Sequence, residues 1–424
     1  MRYVSAMFSI CNFLVVGCLL NVLPTAFAAT SLLLASHFNG AIFTLSLETD
    51  PSGDNGKLSL VSASGGCGST SAWLQYYPDT RTLYCWDESW QGYGTMAEFN
   101  VSVDGILTVT GQAKTTGNDV HGILYGGPKG RSFIASVQYS PSTLTTYALP
   151  LRPGPDAPFT VPLQLETFTI PKPGPDPRQD RPHPHQTILD PKGKFILVPD
   201  LGADTIHIFS INPTTGYLTS CPGAATAPGD GPRHGEFWRA KVDEKVKEEE
   251  GWKLFTVNEL GNSVSAWDVT YPLPDSNATC LSLSHKQTIS TFSPGVTPPS
   301  TIYNGQVFPP KAAELHTFSN YLYATNRNDK TFGPETDSLV TYKISGTGEL
   351  EFVAMGSSYS FYPRSFNVNK AGTLVAVGGQ TSSSVAIVER MGDGRLGKLV
   401  ARLEVGSPGS YTNEDGLSSV VWVE

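Results

Sequence analysis

The sequence predicts an all-β fold, a seven-bladed β-propeller built from four-stranded antiparallel blades. Short apolar runs separated by turn signals follow one another along most of the chain, whereas helical periodicity is nearly absent. A repeat of four such runs recurs about every 50 residues, which is typical of propeller blades. Both ends of the chain carry strand patterns, so we expect the last blade to be closed by strands from both termini.

The N-terminus carries a targeting segment that does not belong to the fold. Residues 7–23 are almost wholly apolar, and Ala26-Phe27-Ala28 has the small-x-small pattern of a cleavage site. This arrangement is typical of a secretory signal peptide. A membrane anchor is the alternative, but it requires a longer uninterrupted apolar run. We expect residues 1–28 to be the signal peptide and residues 29–424 to be a secreted, single propeller domain.

The charge of the chain limits its partners. The chain has 29 basic and 38 acidic residues, which gives a formal net charge of −9 at pH 7. Loss of the signal peptide removes one arginine and makes this charge more negative. Nucleic acids and anionic membranes both require a basic surface. We therefore expect neither nucleic acid nor, after signal cleavage, a membrane as partner.

The mature chain keeps four cysteines, an even number that suggests two disulfide bonds in an oxidising compartment. We expect Cys67 to pair with Cys85, and Cys221 with Cys280, because each pair can lie on neighbouring strands. The chain has neither a CxxC motif nor a Cys/His cluster with zinc spacing, so a metal role for these cysteines is not expected.

Two N-glycosylation sequons, Asn100-Val-Ser102 and Asn277-Ala-Thr279, occur in the mature chain. Such sequons are modified only in secreted proteins, where they mark surface positions. Because the signal peptide predicts secretion, we expect both Asn100 and Asn277 to be glycosylated.

The clearest repeat occupies residues 187–221. Its four apolar runs are separated by turns at Asp190–Gly193, Leu201–Asp204 and Pro213–Gly216, a pattern that predicts an antiparallel four-stranded meander. Five further repeats of this kind begin near residues 71, 119, 235, 312 and 362.

Two intervals between repeats are longer than the others. The first contains a Pro-rich linker at residues 149–184, and the second contains a charged insertion at residues 240–251. A charge run of this kind is usually a solvated segment. The C-terminal run at residues 416–423 has the pattern of an innermost strand, and the N-terminal runs supply further strands. Together they would form a seventh blade and remove its exposed edge. Six or eight blades are the alternatives to this count.

Polar residues are concentrated at one mouth of the predicted channel. In an antiparallel blade, the start of the innermost strand and the end of the second strand lie on the same face of the disc. The starts of innermost strands carry His121, His183, His185, Arg233, His234, Glu314 and Arg364, and the ends of second strands carry Asp200, Glu259, Asn326, Arg327 and Gln380.

This set of residues is more than the usual hydrated lining of a propeller channel. Any single member is commonly structural, but a set that combines histidine, glutamate and several arginines is not. Buried arginine requires an anionic partner, and its guanidinium group binds carboxylate or phosphate well. The set therefore predicts a site for a small anionic substrate, with groups suited to acid/base chemistry.

Several ordered motifs resemble the seven-bladed propeller lactonases. They are Pro182-His-Pro-His185-Gln, Asp190-Pro-x-Gly193-Lys-Phe, Pro199-Asp-Leu-Gly-Ala-Asp204, Gly231-Pro-Arg-His234-Gly, Asn258-Glu-Leu-Gly-Asn262 and Asn326-Arg-Asn-Asp329. This family includes bacterial-type 6-phosphogluconolactonase and the fungal carboxy-cis,cis-muconate cyclase. The resemblance runs from about residue 31 to the C-terminus and is most specific between His185 and Asp329.

The resemblance implies an enzyme that opens or closes a lactone without a cofactor or metal. The positions that match the active site of the cyclase are His185, Arg233, Glu259 and Arg327. His185 or Glu259 would then act as acid or base, while the two arginines hold a substrate carboxylate and stabilise an oxyanion. The expected substrate is a lactone or an unsaturated di- or tricarboxylate. Its further binding residues would be His183, His234, Asp200, Asn326, Glu314, Arg364 and His121.

Two other functions fit parts of the pattern. A calcium-type gluconolactonase would hold a metal ion with Asp200, Glu259 and Asn326, which are all expected at the ends of second strands. A secreted propeller that binds a ligand without catalysis is the other alternative, since fold alone does not imply function. The signal peptide also separates this chain from relatives that act inside the cell, so their phosphorylated or aromatic-pathway substrates are not simply transferable.

Overall fold

The computed structural model describes residues 29–424 except 51, 52, 54, 152–160, 241–250, 274–277, 304–305 and 411. Over these residues the chain forms seven four-stranded antiparallel sheets, which confirms the predicted seven-bladed propeller. The expected signal peptide, the sequon residue Asn277 and residues 241–250 of the charged insertion lie outside the described residues. The described residues include no helix that is long and apolar enough to cross a membrane.

The strands are numbered in chain order. The N-terminal strands are β1 (Ala29–His37), β2 (Ile42–Thr49) and β3 (Gly56–Ser64). Five blades follow. The first two of these are β4 (Ser71–Tyr77), β5 (Thr82–Asp87), β6 (Thr95–Val101) and β7 (Leu107–Lys114), and then β8 (Asp119–Tyr125), β9 (Phe133–Gln138), β10 (Thr143–Ala148) and β11 (Gln164–Thr167). The other three are β12 (Ile188–Leu189), β13 (Phe195–Asp200), β14 (Thr205–Ile211) and β15 (Leu218–Ala225); β16 (Pro232–Arg239), β17 (Trp252–Asn258), β18 (Ser263–Thr270) and β19 (Ser282–Ser290); and β22 (Lys311–Phe318), β23 (Tyr321–Arg327), β24 (Ser338–Ile344) and β25 (Leu350–Ser357). The seventh blade is β26 (Pro363–Val368), β27 (Leu374–Gly379), β28 (Ser384–Arg390) and β29 (Leu396–Glu404), and the last strand of the chain, β30 (Leu417–Trp422), belongs to the first blade. A hairpin of β20 (Thr301–Tyr303) and β21 (Gln306–Phe308) and a 3₁₀ helix at Pro177–Gln179 lie between blades.

The ring is closed as the sequence predicts. The first blade has the order β3-β2-β1-β30, so the C-terminal strand is its innermost strand. β1 and β30 pair antiparallel, and the hydroxyl groups of Ser36 and Ser418 lie 2.8 Å apart across this pair. The indole N–H of Trp422 donates to the carbonyl of Asn367 in the neighbouring blade at 2.9 Å. Both termini thereby contribute to one continuous ring.

Apolar layers between neighbouring blades hold the propeller together. β13 is buried along its whole length because blades pack against both of its faces. Leu197 and Ile208 of this blade pack in one cluster with Leu254 and Trp267 of the next. Burial on both faces explains why the inner strands read as nearly continuous apolar runs rather than as alternating ones. The polar residues at strand ends are thus presented from a rigid frame.

The turn at Asp190 shows how the recurring Asp-Pro-x-Gly motif works. One carboxylate oxygen of Asp190 accepts hydrogen bonds from the backbone N–H groups of Lys194 and Phe195, each at 2.6 Å. Gly193 has a φ of 65°, a left-handed conformation that glycine adopts without strain. The motif therefore fixes a tight turn between β12 and β13 and sets their register.

Both predicted disulfide bonds are present, Cys67–Cys85 and Cys221–Cys280. Cys85 lies in β5 and Cys221 in β15. Cys67 lies in the loop before β4, and Cys280 lies in the loop before β19. The second bond joins two neighbouring blades, and its cysteines are 59 residues apart in the chain. The sequon residue Asn100 is exposed at the end of β6.

The segment expected as a Pro-rich linker is partly integral to the fold. Residues 164–167 form β11, the outermost strand of its blade. Further on, Asp176 caps the 3₁₀ helix, and its side chain accepts a hydrogen bond from the backbone of Arg178. Proline-rich composition concealed both elements, because proline at the start of a short helix is favourable and not disruptive.

We expect loss of the inter-blade disulfide to destabilise the propeller. Replacing Cys221 and Cys280 by alanine frees a long loop in the unfolded chain, which should lower the free energy of unfolding by about 2–4 kcal/mol. Urea unfolding of the purified mature chain measures this loss. Reduced wild-type protein serves as the control and should unfold at a midpoint no higher than that of the variant. An unchanged midpoint in the variant would show that the bond does not constrain the fold.

Candidate active site

A buried carboxylate surrounded by arginines forms the centre of the predicted mouth. Glu259 follows β17 and is only 1% exposed. Arg233, from β16, lies with Nε 2.9 Å from one carboxylate oxygen, and Arg327, at the end of β23, lies 2.9 Å from the other. Arg178 from the 3₁₀ helix pairs with that second oxygen as well. One carboxylate therefore holds three guanidinium groups that come from three parts of the ring.

The charge state of Glu259 follows from these neighbours. Burial by itself would raise the pKa of Glu259, but Arg178, Arg327 and Arg233 outweigh it and hold the pKa well below its usual range. A carboxylate with such a low pKa is a weak base. Glu259 is therefore suited to holding the arginines in place and poorly suited to the acid/base role that the sequence left open for it.

A second set of charges surrounds this centre. Glu414 pairs with Lys311, its carboxylate lies 3.6 Å from Arg327, and the hydroxyl of Tyr362 donates to it at 3.0 Å. These cations and Arg178 lower the pKa of Glu414 to about 2, although burial opposes the shift. Both carboxylates are thus ionised and engaged by cations.

Glu88 differs from these two carboxylates. Its side chain lies 3.6 Å from Arg364 and accepts a hydrogen bond from the indole of Trp90 at 3.2 Å. Burial raises the pKa of Glu88 and outweighs the effect of Arg364. The site therefore contains carboxyl groups whose pKa values are displaced in opposite directions, which is common in active sites.

These groups enclose a cavity of about 330 Å³ at the channel mouth. This volume is at the small end of the range for ligand pockets. Five cations (Arg178, Arg233, Lys311, Arg327 and Arg364) and three carboxylates (Glu88, Glu259 and Glu414) lie in or beside it. Cations are in excess, so the cavity favours an anion. Its lining includes Phe38, Glu88, Trp90, Val120, Tyr139, Arg178, His185, Arg233, Glu259, Arg327, Arg364, Gln380, Thr412, Asn413 and Glu414.

His185 is the histidine that lines this cavity. It precedes β12 and is 6% exposed. Burial, and next the positive charge of Arg233, lower the pKa of His185 well below its usual range, so the ring is neutral near pH 7. Its Nδ1 lies 3.2 Å from Nε2 of His234, whose Nδ1 lies 2.8 Å from Glu314. A neutral imidazole beside several arginines can accept a proton, and it faces the space where an anion would bind.

The structure therefore brings His185, Arg233, Glu259 and Arg327 together, as expected, and with them Arg364, which was expected among the binding residues. His234 and Glu314, expected as substrate-binding residues, do not line the cavity but lie behind His185.

Four other expected site residues have structural partners instead of lining the cavity. His183 stacks on Tyr139 with ring centroids 4.2 Å apart, and its Nε2 lies 2.9 Å from Asp180. Asp200 accepts hydrogen bonds from the backbone of His183 at 2.6 Å and from that of Gly202 at 3.0 Å. Backbone N–H groups thus engage this carboxylate, and Asp200 does not line the cavity.

Asn326 and His121 do not line the cavity either. The side-chain amide of Asn326 donates to the carbonyl of Thr291 at 2.9 Å and to the hydroxyl of Ser338 at 3.1 Å. His121 lies 3.1 Å from the hydroxyl of Thr187 and lines a different cavity of the channel. Position at a strand end therefore did not guarantee that a side chain points into the mouth.

The residues expected to hold calcium are not assembled into a metal site. Asp200 is engaged by its own loop, Glu259 by arginines, and Asn326 by an adjacent turn. Among the residues that the structure describes, no group of three or more His, Cys, Asp or Glu side chains could hold a metal ion.

Sequence reasoning missed four charged residues of the site, Arg178, Lys311, Glu88 and Glu414. Arg178 belongs to the segment interpreted as a linker, and Glu414 to the loop before β30. Both segments lack the blade period that located the other residues. A signal for Arg178 was present, because Asp176-Pro-Arg-Gln179 has the aspartate cap and first-turn proline of a helix start.

Comparison with known proteins identifies a family with this architecture. The family profile described as "Lactonase, 7-bladed beta-propeller" matches residues 33–413. A protein of Arthroderma benhamiae named "Probable 6-phosphogluconolactonase" is 26% identical over 373 residues, which are 87% of this chain and 84% of the relative. The 6-phosphogluconolactonase of Klebsiella pneumoniae (strain ATCC 700721 / MGH 78578) is 26% identical over 383 residues, 88% of this chain and 95% of the relative.

A solved structure shares the fold. The periplasmic gluconolactonase of Pseudomonas aeruginosa superposes with a TM-score of 0.72 over 93% of this chain and 99% of that protein. The two sequences are 21% identical, so the likeness concerns the fold alone.

We expect Glu259→Gln to destabilise the protein by roughly 3–5 kcal/mol at pH 7, because it leaves buried guanidinium groups without their counter-charge. The pKa of Glu259 is lower in the folded chain than its ordinary value of 4.5. Its stabilisation is therefore fully present above about pH 4.5 and is lost as the pH falls through the lowered pKa.

Urea unfolding of both proteins between pH 3 and pH 8 tests this expectation. The difference between wild type and Glu259→Gln should be constant above about pH 4.5 and should narrow below it. The control is Glu351→Gln, which alters an exposed carboxylate of β25 and should change stability by less than about 0.5 kcal/mol. Equal stability of wild type and Glu259→Gln at pH 7 would contradict the proposed charge arrangement.

Proposed function

The chain belongs to the lactonase family of seven-bladed β-propellers, and on this premise we propose that it hydrolyses a lactone that carries a carboxylate. The observation that carries the proposal is the cavity in which neutral His185 lies among arginines. Hydrolysis is the proposed direction because the relatives above are named as lactonases. The closure of an unsaturated carboxylate to a lactone needs similar groups and becomes an outcome of the test.

The excess of cations supports an anionic substrate. Arg364 points to the cavity with one Nη donating to the carbonyls of Ala72 and Ser418, each at 3.0 Å, which fixes the guanidinium in place. Arg233 is fixed in the same way by the carbonyl of Ala313 at 2.7 Å. Guanidinium groups that are already oriented bind a carboxylate with little loss of side-chain entropy.

The reaction then follows from the two kinds of group. His185 takes a proton from a water molecule while the oxygen of that water attacks the lactone carbonyl. Arg233 and Arg327 stabilise the negative charge that develops on the carbonyl oxygen. The ring C–O bond breaks, and the leaving oxygen takes the proton from His185. The product is an open-chain hydroxy acid, and His185 returns to its neutral form.

The location that we propose is outside the cell. The two disulfide bonds are typical of an oxidising compartment, and the N-terminal sequence has the pattern of a signal peptide. A carboxylate is therefore preferred over a phosphorylated sugar, because phosphorylated sugars are chiefly intracellular. The phosphate-bearing lactone becomes a comparison in the assay.

We expect the mature chain to hydrolyse carboxylate-bearing γ- or δ-lactones faster than neutral lactones of the same ring size. His185→Gln should lower kcat by a factor of about 10²–10⁴, since it removes the base. The matched control is His285→Gln, which alters an exposed histidine of β19 and should leave kcat unchanged. Thermal unfolding of both variants verifies that they are folded.

Three results would redirect or overturn the proposal. Full activity of folded His185→Gln would contradict the role of His185. Loss of activity with a chelator would favour a metal-dependent lactonase. Thermal stabilisation by carboxylates without turnover of any lactone, or of an unsaturated dicarboxylate, would favour a binding protein.

A further inference from the structure

Three buried side chains from three successive blades form a row behind the cavity. His185 precedes β12, His234 lies in β16, and Glu314 lies in β22. Nδ1 of His185 lies 3.2 Å from Nε2 of His234, and Nδ1 of His234 lies 2.8 Å from Oε1 of Glu314. His234 and Glu314 are each 1% exposed. The reaction described above uses only the first member of this row.

The backbone determines the direction of the hydrogen bonds in the row. Oε1 of Glu314 also accepts a hydrogen bond from the N–H of Leu315 at 3.2 Å, so this oxygen is an acceptor. We therefore assign the proton of His234 to Nδ1, which donates to Glu314. Burial and the charge of Arg233 keep the pKa of His234 well below its usual range, so the ring carries one proton only. Its Nε2 must then accept the Nδ1 proton of His185.

This assignment leaves Nε2 of His185 without a proton, in the form that a base requires. We propose that His234 and Glu314 are positioning residues that hold His185 in its Nδ1–H tautomer and stabilise the imidazolium that forms when it takes a proton from water. The inference rests on the proposed function for its catalytic consequence, but the tautomer itself is a property of the free protein. An acid–histidine pair has the same effect in hydrolases of unrelated fold.

Packing holds the middle of the row in place. The ring of Trp73 lies edge-on to His234 with centroids 5.3 Å apart, and the ring of His121 lies edge-on at 5.6 Å. Trp73 and His121 are themselves packed together at 4.5 Å. His234 is thus enclosed by rings and cannot turn to reverse its two nitrogens without displacing them. This arrangement explains why His121 is an inner-strand residue that does not reach the cavity.

Several charged or titratable groups act on the row besides its own members. They are Arg233, Arg364, Glu259, His316 and His121. Oε2 of Glu314 is buried and has no hydrogen-bond partner among the described residues. The carboxylate of Glu314 can therefore stabilise the positive charge that arises on the histidines, since no other donor satisfies its second oxygen.

The decisive substitution is Glu314→Gln. Its amide oxygen can keep the hydrogen bonds from the Leu315 N–H and from Nδ1–H of His234, so the tautomer of His185 is retained, but the negative charge that stabilises the imidazolium is lost. We expect kcat for a lactone substrate to fall by a factor of about 10²–10⁴ while KM changes less than about threefold. The control is Glu351→Gln, because Glu351 is an exposed residue of β25. This control should retain kcat and KM.

Imidazole ¹⁵N NMR of histidine-labelled protein gives a readout that does not depend on activity. His185 of the wild type and of Glu314→Gln should show the Nδ1–H tautomer, whereas Glu314→Ala, which removes the acceptor for Nδ1–H of His234, should show a mixture of both tautomers at the same position. His185→Gln assigns the signal. An Nε2–H tautomer in the wild type would overturn the inference, and so would an unchanged kcat in Glu314→Gln. Absence of lactone turnover in the wild type would instead overturn the proposed function, and the NMR result would still decide the arrangement of protons.

Discussion

The site depends on one buried carboxylate that three guanidinium groups share. Glu259 receives Arg178 from the segment after β11, Arg233 from β16 and Arg327 from β23. Without an anion at this point, the buried Arg233 and Arg327 and the partly exposed Arg178 would repel one another, and the two buried groups would lack compensation for their lost hydration. The same contacts keep Glu259 ionised, which removes it from proton transfer. Although Glu259 resembles a catalytic acid, it is therefore better understood as the residue that holds the three arginines in place. These arginines (Arg178, Arg233 and Arg327) form a cationic wall of the cavity.

The cationic wall in turn determines what the neighbouring histidine can do. Burial and positive charge both disfavour the imidazolium form of His185, so the ring is neutral near pH 7 but its basicity is lowered. A base in such surroundings needs help to carry charge during the reaction, and Glu314 is placed to supply it through His234. The channel thus has two layers, an outer layer of arginines suited to an anion and an inner row suited to holding a proton. The outer layer lines the cavity, whereas His234 and Glu314 lie behind it.

The fold and part of the site were predictable because they follow a repeat. The strand period predicted seven blades, the closure by β1 and β30, and both disulfide pairs. The same period brought His185, Arg233, Glu259 and Arg327 to one mouth. It could not predict Arg178 or Glu414, which come from aperiodic segments that cross the mouth. It also could not show that the side chains of Asp200 and Asn326 form hydrogen bonds with nearby loop residues, since such contacts depend on loop conformation and not on strand position.

The proposed function requires that the cavity bind a carboxylate-bearing lactone with its carbonyl carbon close to His185. A crystal structure of the mature chain with the corresponding open-chain hydroxy acid tests this most directly. We expect a carboxylate of that acid within about 3 Å of Arg233, Arg327 or Arg364, and another oxygen at hydrogen-bond distance from Nε2 of His185. A hydroxy acid bound elsewhere, such as the channel cavity beside Trp73 and His121, with the arginine-lined cavity empty, would contradict it.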